Sequence, residues 1–358
     1  MTRDFIWRDA GRTVVFRRGG VADAVEVLRE RGVEEFELLS TERALDEADA
    51  LAAAASGVHL VAKGQVPAAA GALTDALAPP SHAEEGVRVR PLVAFGGGRV
   101  VDVAKAVAAV SGAEVVAIPT TLSGAPMTAI HRLPEGAEER AKGMVQPSLV
   151  IADPEAMTGQ PEGEMRASAM NALAHGADTL YLPNSNPVSE MTALRGAALI
   201  SGALDEEREG RDRASLALGA ILCGYAIDSA GLGLHHLVCQ TLVRVCGTPH
   251  AETNAAILPR ALAYLAERSP EPYELLARAI APHPPTGLKE PYIERNRPID
   301  LERRVEELGR PRPLGELGGD RAKVDDAIEA MLQRPELAHV PGPPTAGDLR
   351  CIVCAAWE

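Results

Sequence analysis

The chain has 358 residues, a formal net charge of −14 and 24% charged residues. That length accommodates two domains with separate cores, and the acidic balance argues against nucleic acid or an anionic membrane as partner. No apolar run reaches membrane-spanning length, and the opening Met1-Thr2-Arg3-Asp4-Phe5 lacks the basic-then-apolar layout of a signal peptide, so a cytoplasmic protein is expected.

In chain order, short β-rich runs alternate with helical patterns over the first 155 or so residues. Strands are expected at residues 13–16, 36–39, 59–62, 92–95, 115–118 and 149–151, with helices at 21–31, 42–55 and 100–110. This alternation predicts a doubly wound parallel α/β sheet. The polar, Pro-bearing stretch 79–86 reads as a surface loop. At Phe95-Gly96-Gly97-Gly98-Arg99-Val100 a buried-strand pattern runs into a helix through three glycines. Glycines there let backbone N–H groups approach a ligand, and the helix N-terminus behind them favours a phosphate. The same turn without a ligand also satisfies the pattern, and its spacing is not that of the usual dinucleotide fingerprint.

After Asp153-Pro154 long helical patterns take over, at 163–182, 188–204, 213–229, 232–245 and 251–266. A Pro-rich loop is expected at 282–298, followed by helices within 325–358 broken at 341–344. We therefore divide the chain into an α/β domain at 1–157 and an all-helical domain at 158–358. Five cysteines in a chain this long make no disulfide framework, and Cys351 and Cys354, three apart in an apolar tail, are expected to pack in the core.

Histidine placement supplies a second constellation. Asn171 and His175 are four apart on one predicted helix, and His236 and Gln240 share that spacing on another, with His235 adjacent. His250 follows in Gly247-Thr248-Pro249-His250, at a turn before the next helix. Imidazoles gathered this way suit a metal site, and separate, individually satisfied histidines suit the same spacing.

The order of Gly96-Gly97-Gly98, Ile118-Pro119-Thr120-Thr121, Asp153-Pro154, Met170-Asn171-Ala172-Leu173-Ala174-His175, Leu234-His235-His236 and Thr248-Pro249-His250-Ala251-Glu252-Thr253 resembles the iron-containing alcohol dehydrogenase family, most of all its maleylacetate reductase branch. The resemblance runs over nearly the whole chain. It implies an N-terminal nucleotide-binding α/β domain, a helical C-terminal domain and a cleft between them. By that resemblance Gly96, Gly97 and Gly98 hold the pyrophosphate of NAD(H) or NADP(H), and Asp102 lies toward the nicotinamide. Thr120 and Thr121 lie near the adenine and ribose, with Ser40 and Thr41 by the adenosine. Metal-dependent members use one Asp and three His, and the matching positions are Asn171, His175, His236 and His250.

Three departures from the family pattern stand out. Gln240 replaces a histidine and cannot shuttle a proton. Arg99 replaces a serine and adds a cation beside the phosphate turn, where it could tune cofactor choice. Gly124-Ala125-Pro126 stands where Gly-Ser-Glu is usual. Asn171 supplies no charge, so metal binding is expected to be weak or absent. The function expected is an NAD(P)H-dependent reduction of a small conjugated carbonyl or enoyl acid, with His175, His236, His250, Asn171 and Gln240 at the reacting end. The alternatives are a metal-dependent alcohol dehydrogenase acting on a small aldehyde and a biosynthetic tailoring enzyme on the same scaffold. We expect a homodimer whose partner in the reaction is a small molecule.

Overall fold

Three runs of Val, Ile, Leu, Ala and Phe are buried at every residue in the computed structural model: β4 (Leu92–Gly96), β5 (Val115–Pro119) and β6 (Leu149–Ala152). Unbroken apolar runs of this kind belong to strands covered on both faces. They form the middle of a six-stranded parallel sheet with β1 (Thr13–Phe16), β2 (Glu37–Ser40) and β3 (Gly57–Leu60), in the order β1-β6-β5-β4-β2-β3. The two edge strands, β1 and β3, are buried least.

The structure describes residues 11–77, 89–282 and 300–358. The expected loop at 79–86, nearly all of that at 282–298 and the opening residues lie outside them. The sheet lies within the compact unit Arg8–Gly159, and a second unit occupies Gln160–Glu358.

Helices of the sheet unit are α1 (Ala24–Glu30), α2 (Glu42–Leu45), α3 (Asp49–Ala54), α4 (Val66–Leu77), α5 (Gly98–Ser111) and α6 (Pro154–Met157). The single helix expected at 42–55 is thus two. Leu45 and Leu51 are six residues apart, which on a straight helix turns them about 240° from one another. The break at 46–48 lets both pack on the core cluster that holds Phe36, Leu38 and Phe95.

Among its described residues the second unit is built from helices: α7 (Glu162–Thr179), α8 (Pro187–Asp205), α9 (Arg213–Ala230), α10 (Leu234–Val245), α11 (His250–Arg268), α12 (Pro270–Ala279), α13 (Leu301–Gly309), α14 (Val324–Leu332) and α15 (Ala346–Trp357). Helix α7 is buried at every residue from Met165 to Thr179, so it is the central helix and shows no polar face. Helices α8 and α9 meet backbone to backbone, because a Cβ on Gly196 would stand 2.8 Å from the Gly219 carbonyl. At the start of α7, Glu162 pairs with Arg166 and Arg211, both at 2.7 Å.

The cysteine expectation needs correction. On α15 the buried face is Leu349, Ile352, Val353, Ala356 and Trp357, while Cys351 is exposed and Cys354 half-buried. An apolar tail has more apolar positions than one helical face can bury, and Cys351 falls on the other side.

Candidate active site

In the sheet unit the chain leaves β2 toward the β3 edge and leaves β4 toward β5, so the connections after these neighbouring strands diverge. Open parallel sheets bind ligands at such a reversal, outside the carboxyl ends of the strands. Ser40 and Gly96 sit at those ends. The Ser40 hydroxyl is buried and donates to the Phe95 carbonyl at 2.8 Å, and the Thr41 hydroxyl accepts the Ala44 N–H as the cap of α2. Both side chains therefore hold the crevice walls in register.

Gly96 has φ of 157°, a conformation L side chains rarely adopt, and a Cβ on it would lie 2.7 Å from Val100 Cγ2. Gly97 begins α5 in extended conformation with no side-chain cap, so the first N–H groups of the helix are open to a ligand. The loop after β5 closes over this turn: Thr120 N–H donates to the Gly96 carbonyl at 3.0 Å, and a Cβ on Gly98 would meet Ser123 Oγ at 2.6 Å. Arg99 Nε, Thr121 Oγ1 and Ser123 Oγ are buried with no hydrogen-bond partner in the protein. An uncapped helix N-terminus ringed by unpartnered polar atoms suits a phosphate-bearing cofactor.

Asp102, one turn into α5, pairs with Lys105 at 2.8 Å. Sequence reasoning passed over Lys105, although a lone lysine in an Ala/Val helix was a visible signal. It is fully buried and donates to the carbonyls of Ala125, Thr128 and Ile130 at 3.0, 3.1 and 2.7 Å. It ties the segment beyond Ser123 to the helix that starts at the glycine turn.

In the helical unit, Asn171, His175 and Asp178 fall on one face of α7 at i, i+4 and i+7. Across from them, α10 presents His235 and His236. The rings of His175 and His236 stack with centroids 4.5 Å apart and planes inclined by 11°, and His235 meets His236 edge-on at 4.8 Å. Asp178 Oδ2 lies 2.7 Å from His236 Nδ1 and accepts the Gly233 N–H at 3.1 Å. The Tyr181 hydroxyl accepts the next N–H, from Leu234, at 2.5 Å. The N-terminus of α10 is thus held by side chains some 55 residues earlier, an arrangement that favours a carboxylate there. Sequence reasoning did not single out Asp178; the available signal was a carboxylate three residues after His175, on the face that also carries Asn171.

Burial pushes the Asp178 carboxyl up to about 6 and drives His175, His235 and His236 well down, with neighbouring histidines adding to the effect. At neutral pH these imidazoles are uncharged. His250 is the first residue of α11 and not part of the preceding turn; it is exposed, and it acts electrostatically on both His175 and His236. Gln240 is half-buried, one turn beyond His236 on α10. Asn171 Oδ1, His175 Nδ1 and His236 Nε2 are buried without hydrogen-bond partners.

A divalent cation fits this set poorly. Imidazoles sharing one ion each direct an in-plane lone pair at it from about 2.0–2.1 Å. The nearly parallel planes of His175 and His236 do not meet within the site. The fourth donor, Asn171, is neutral. Asp178, His235 and His236 also offer atoms within 4.8 Å of one another. They are engaged already, Asp178 with His236 and His235 Nε2 with the Asn254 carbonyl at 3.0 Å.

Two family models cover these units: "Iron-containing alcohol dehydrogenase" matches residues 11–154, and "Fe-containing alcohol dehydrogenase family, C-terminal" matches 165–357. The chain belongs to the iron-containing alcohol dehydrogenase family. It is 31% identical to a maleylacetate reductase from Rhizobium sp. (strain MTP-10005), over 99% of this chain and 98% of that one. A maleylacetate reductase from Burkholderia cepacia is 35% identical over 67% of this chain and 72% of its own. Among solved structures, the maleylacetate reductase from Agrobacterium tumefaciens superposes with a TM-score of 0.80 at 28% identity, covering 100% of this chain and 99% of that one.

Proposed function

We propose that the chain is an NAD(P)H-dependent reductase of a small conjugated carbonyl or enoyl acid, of the kind maleylacetate reductases act on. The observation that carries the reading is the stacking of His175 on His236, with ring centroids 4.5 Å apart, where His175 Nδ1, His236 Nε2 and, one turn earlier on α7, Asn171 Oδ1 are buried without a hydrogen-bond partner in the protein. Unsatisfied polar atoms cost free energy in the folded protein, so their persistence marks a place where a ligand completes them.

The nicotinamide cofactor, when bound, supplies the hydride. The α5 N-terminus with Gly96, Gly97 and Gly98 holds its pyrophosphate, and Arg99, Thr121 and Ser123 complete the anion's hydrogen bonds, while Asp102, Thr120, Ser40 and Thr41 line the crevice. Hydride delivery to a conjugated system leaves an electron pair on the substrate's oxygen or adjacent carbon. The imidazoles of His175, His236 and His250 and the Asn171 amide stabilise that charge and pass the proton that neutralises it. Gln240 adds shape and a hydrogen bond one turn away. Because a metal fits the donor set poorly, the reading as a metal-dependent alcohol dehydrogenase is not favoured.

The test is oxidation of NADH and NADPH in the presence of maleylacetate, followed by nicotinamide absorbance. His175→Ala and His236→Ala are each expected to lower kcat on the order of 100-fold while leaving cofactor affinity nearly unchanged. Wild-type turnover in both variants would overturn the assignment.

A further inference from the structure

We propose that Asp178 is a positioning residue: its carboxylate fixes His236 with a proton on Nδ1 and makes Nε2 the atom that takes up and releases the proton of the reaction. This rests on the functional reading above. The geometry behind it is specific. One carboxylate oxygen, Oδ2, gathers the His236 side chain at 2.7 Å, the Gly233 N–H at 3.1 Å and the His236 N–H at 3.4 Å. The two backbone groups belong to the N-terminus of α10, so the carboxylate is clamped before it meets the imidazole. Gly233 permits this approach, since a Cβ there would stand 2.6 Å from Asp178 Cγ.

An ionised Asp178 can only accept, so the shared hydrogen on the 2.7 Å contact sits on His236 Nδ1. Nε2 is then the ring's basic edge, and it is buried without a partner. His235, next in the chain, is fixed in a different way, through Nε2 on the Asn254 carbonyl. Only one of the two adjacent histidines is therefore set up to exchange a proton at Nε2. The exchange balances: His236 rests uncharged, and a solvent proton added to Nε2 gives a transient imidazolium beside the Asp178 carboxylate. The same proton then leaves for the electron pair that hydride delivery from the nicotinamide creates on the substrate. Removing the carboxylate charge takes away both the tautomer and the counter-charge of that imidazolium, as in other Asp–His pairs.

Asp178→Asn is the informative variant. An amide oxygen in the place of Oδ2 keeps the acceptor for the Gly233 and His236 N–H groups, so the start of α10 stays anchored while the charge is lost. The experiment measures kcat, KM and cofactor Kd with NADH and maleylacetate for wild type, Asp178→Asn, His236→Ala and the double variant. Histidine ¹⁵N NMR reads the tautomer of His236 alongside. The expected result is a fall in kcat on the order of 10²-fold or more in Asp178→Asn, with KM and Kd within a few-fold. His236 is expected to lose its Nδ1–H tautomer, and the double variant to be scarcely slower than His236→Ala alone. Wild-type kcat in Asp178→Asn, losses that multiply in the double variant, or an unchanged His236 tautomer would each overturn the proposal. If His236→Ala is crippled and Asp178→Asn is not, only this inference fails; if His236→Ala is fully active, the functional reading of the histidines fails with it.

Discussion

Lys105 offers a sharp test of how the sheet unit is held together around the glycine turn. Lys105→Met keeps most of the apolar stem and removes the ammonium, leaving the carbonyls of Ala125, Thr128 and Ile130 without their donor and Asp102 without its cation. Removing one partner of a buried ionic network typically costs about 3–5 kcal/mol, because the groups left behind are stranded away from water. That is a large part of a domain's total stability. For a unit of this size it corresponds to a drop in Tm of roughly 6–20 °C. The chain has only two tryptophans, Trp7 and Trp357, and neither lies among the described residues of the sheet unit, so tryptophan fluorescence is the wrong probe. Hydrogen exchange followed by mass spectrometry on peptides spanning 98–130 reads the region directly, with calorimetry for Tm. Asp102→Asn is the control: it leaves the three carbonyl bonds in place and is expected to cost only about 1 kcal/mol, since the Asp102 side chain is 30% exposed. If Lys105→Met melts within about 2 °C of wild type and exchange at 125–130 is unchanged, the network has been misjudged.

Gly97→Val puts a branched side chain on the uncapped start of α5, where a Cβ already stands 3.0 Å from Thr121 Cγ2. Loss of NADH and NADPH binding by calorimetric titration is expected, and unchanged Kd values would show that the pyrophosphate lies elsewhere. The Arg211 and Arg166 guanidiniums hold Glu162 down to about 2, against an ordinary value of 4.5. A lowered carboxylate stabilises the fold above its unfolded pKa, and this contribution is lost as pH falls from about 4.5 toward 2. After solvent screening it amounts to about 1–2 kcal/mol. Glu162→Gln should thus lower Tm at pH 7 and flatten its dependence on pH in that acid window. Elemental analysis of protein purified without added metal should find substoichiometric iron and zinc; a full equivalent that disappears in His236→Ala would refute the argument from the stacked rings.

The sequence by itself determined most of the architecture. Unbroken apolar runs at 92–95, 115–118 and 149–151 were legible as strands of a parallel sheet, and the structure places them in its middle, where both faces are covered. The glycine turn at 96–98 was legible as a helix start open to an anion, and the spacing of Asn171 with His175 and of His236 with Gln240 gave the faces of two helices. What local periodicity could not supply was which faces meet. The stacking of His175 on His236 and the grip of Asp178 on His236 join residues about 60 positions apart, and no pattern within either helix encodes that pairing. Lys105 was visible as a lone lysine in an Ala/Val helix, but its partners were not, since they are backbone carbonyls of the segment after β5 and any residue type supplies those. The break between α2 and α3 and the exposure of Cys351 likewise follow from how much apolar surface neighbouring elements can cover. Periodicity says which side of an element is apolar. Only tertiary packing decides how much of that side is buried, and which polar group is stranded beside which.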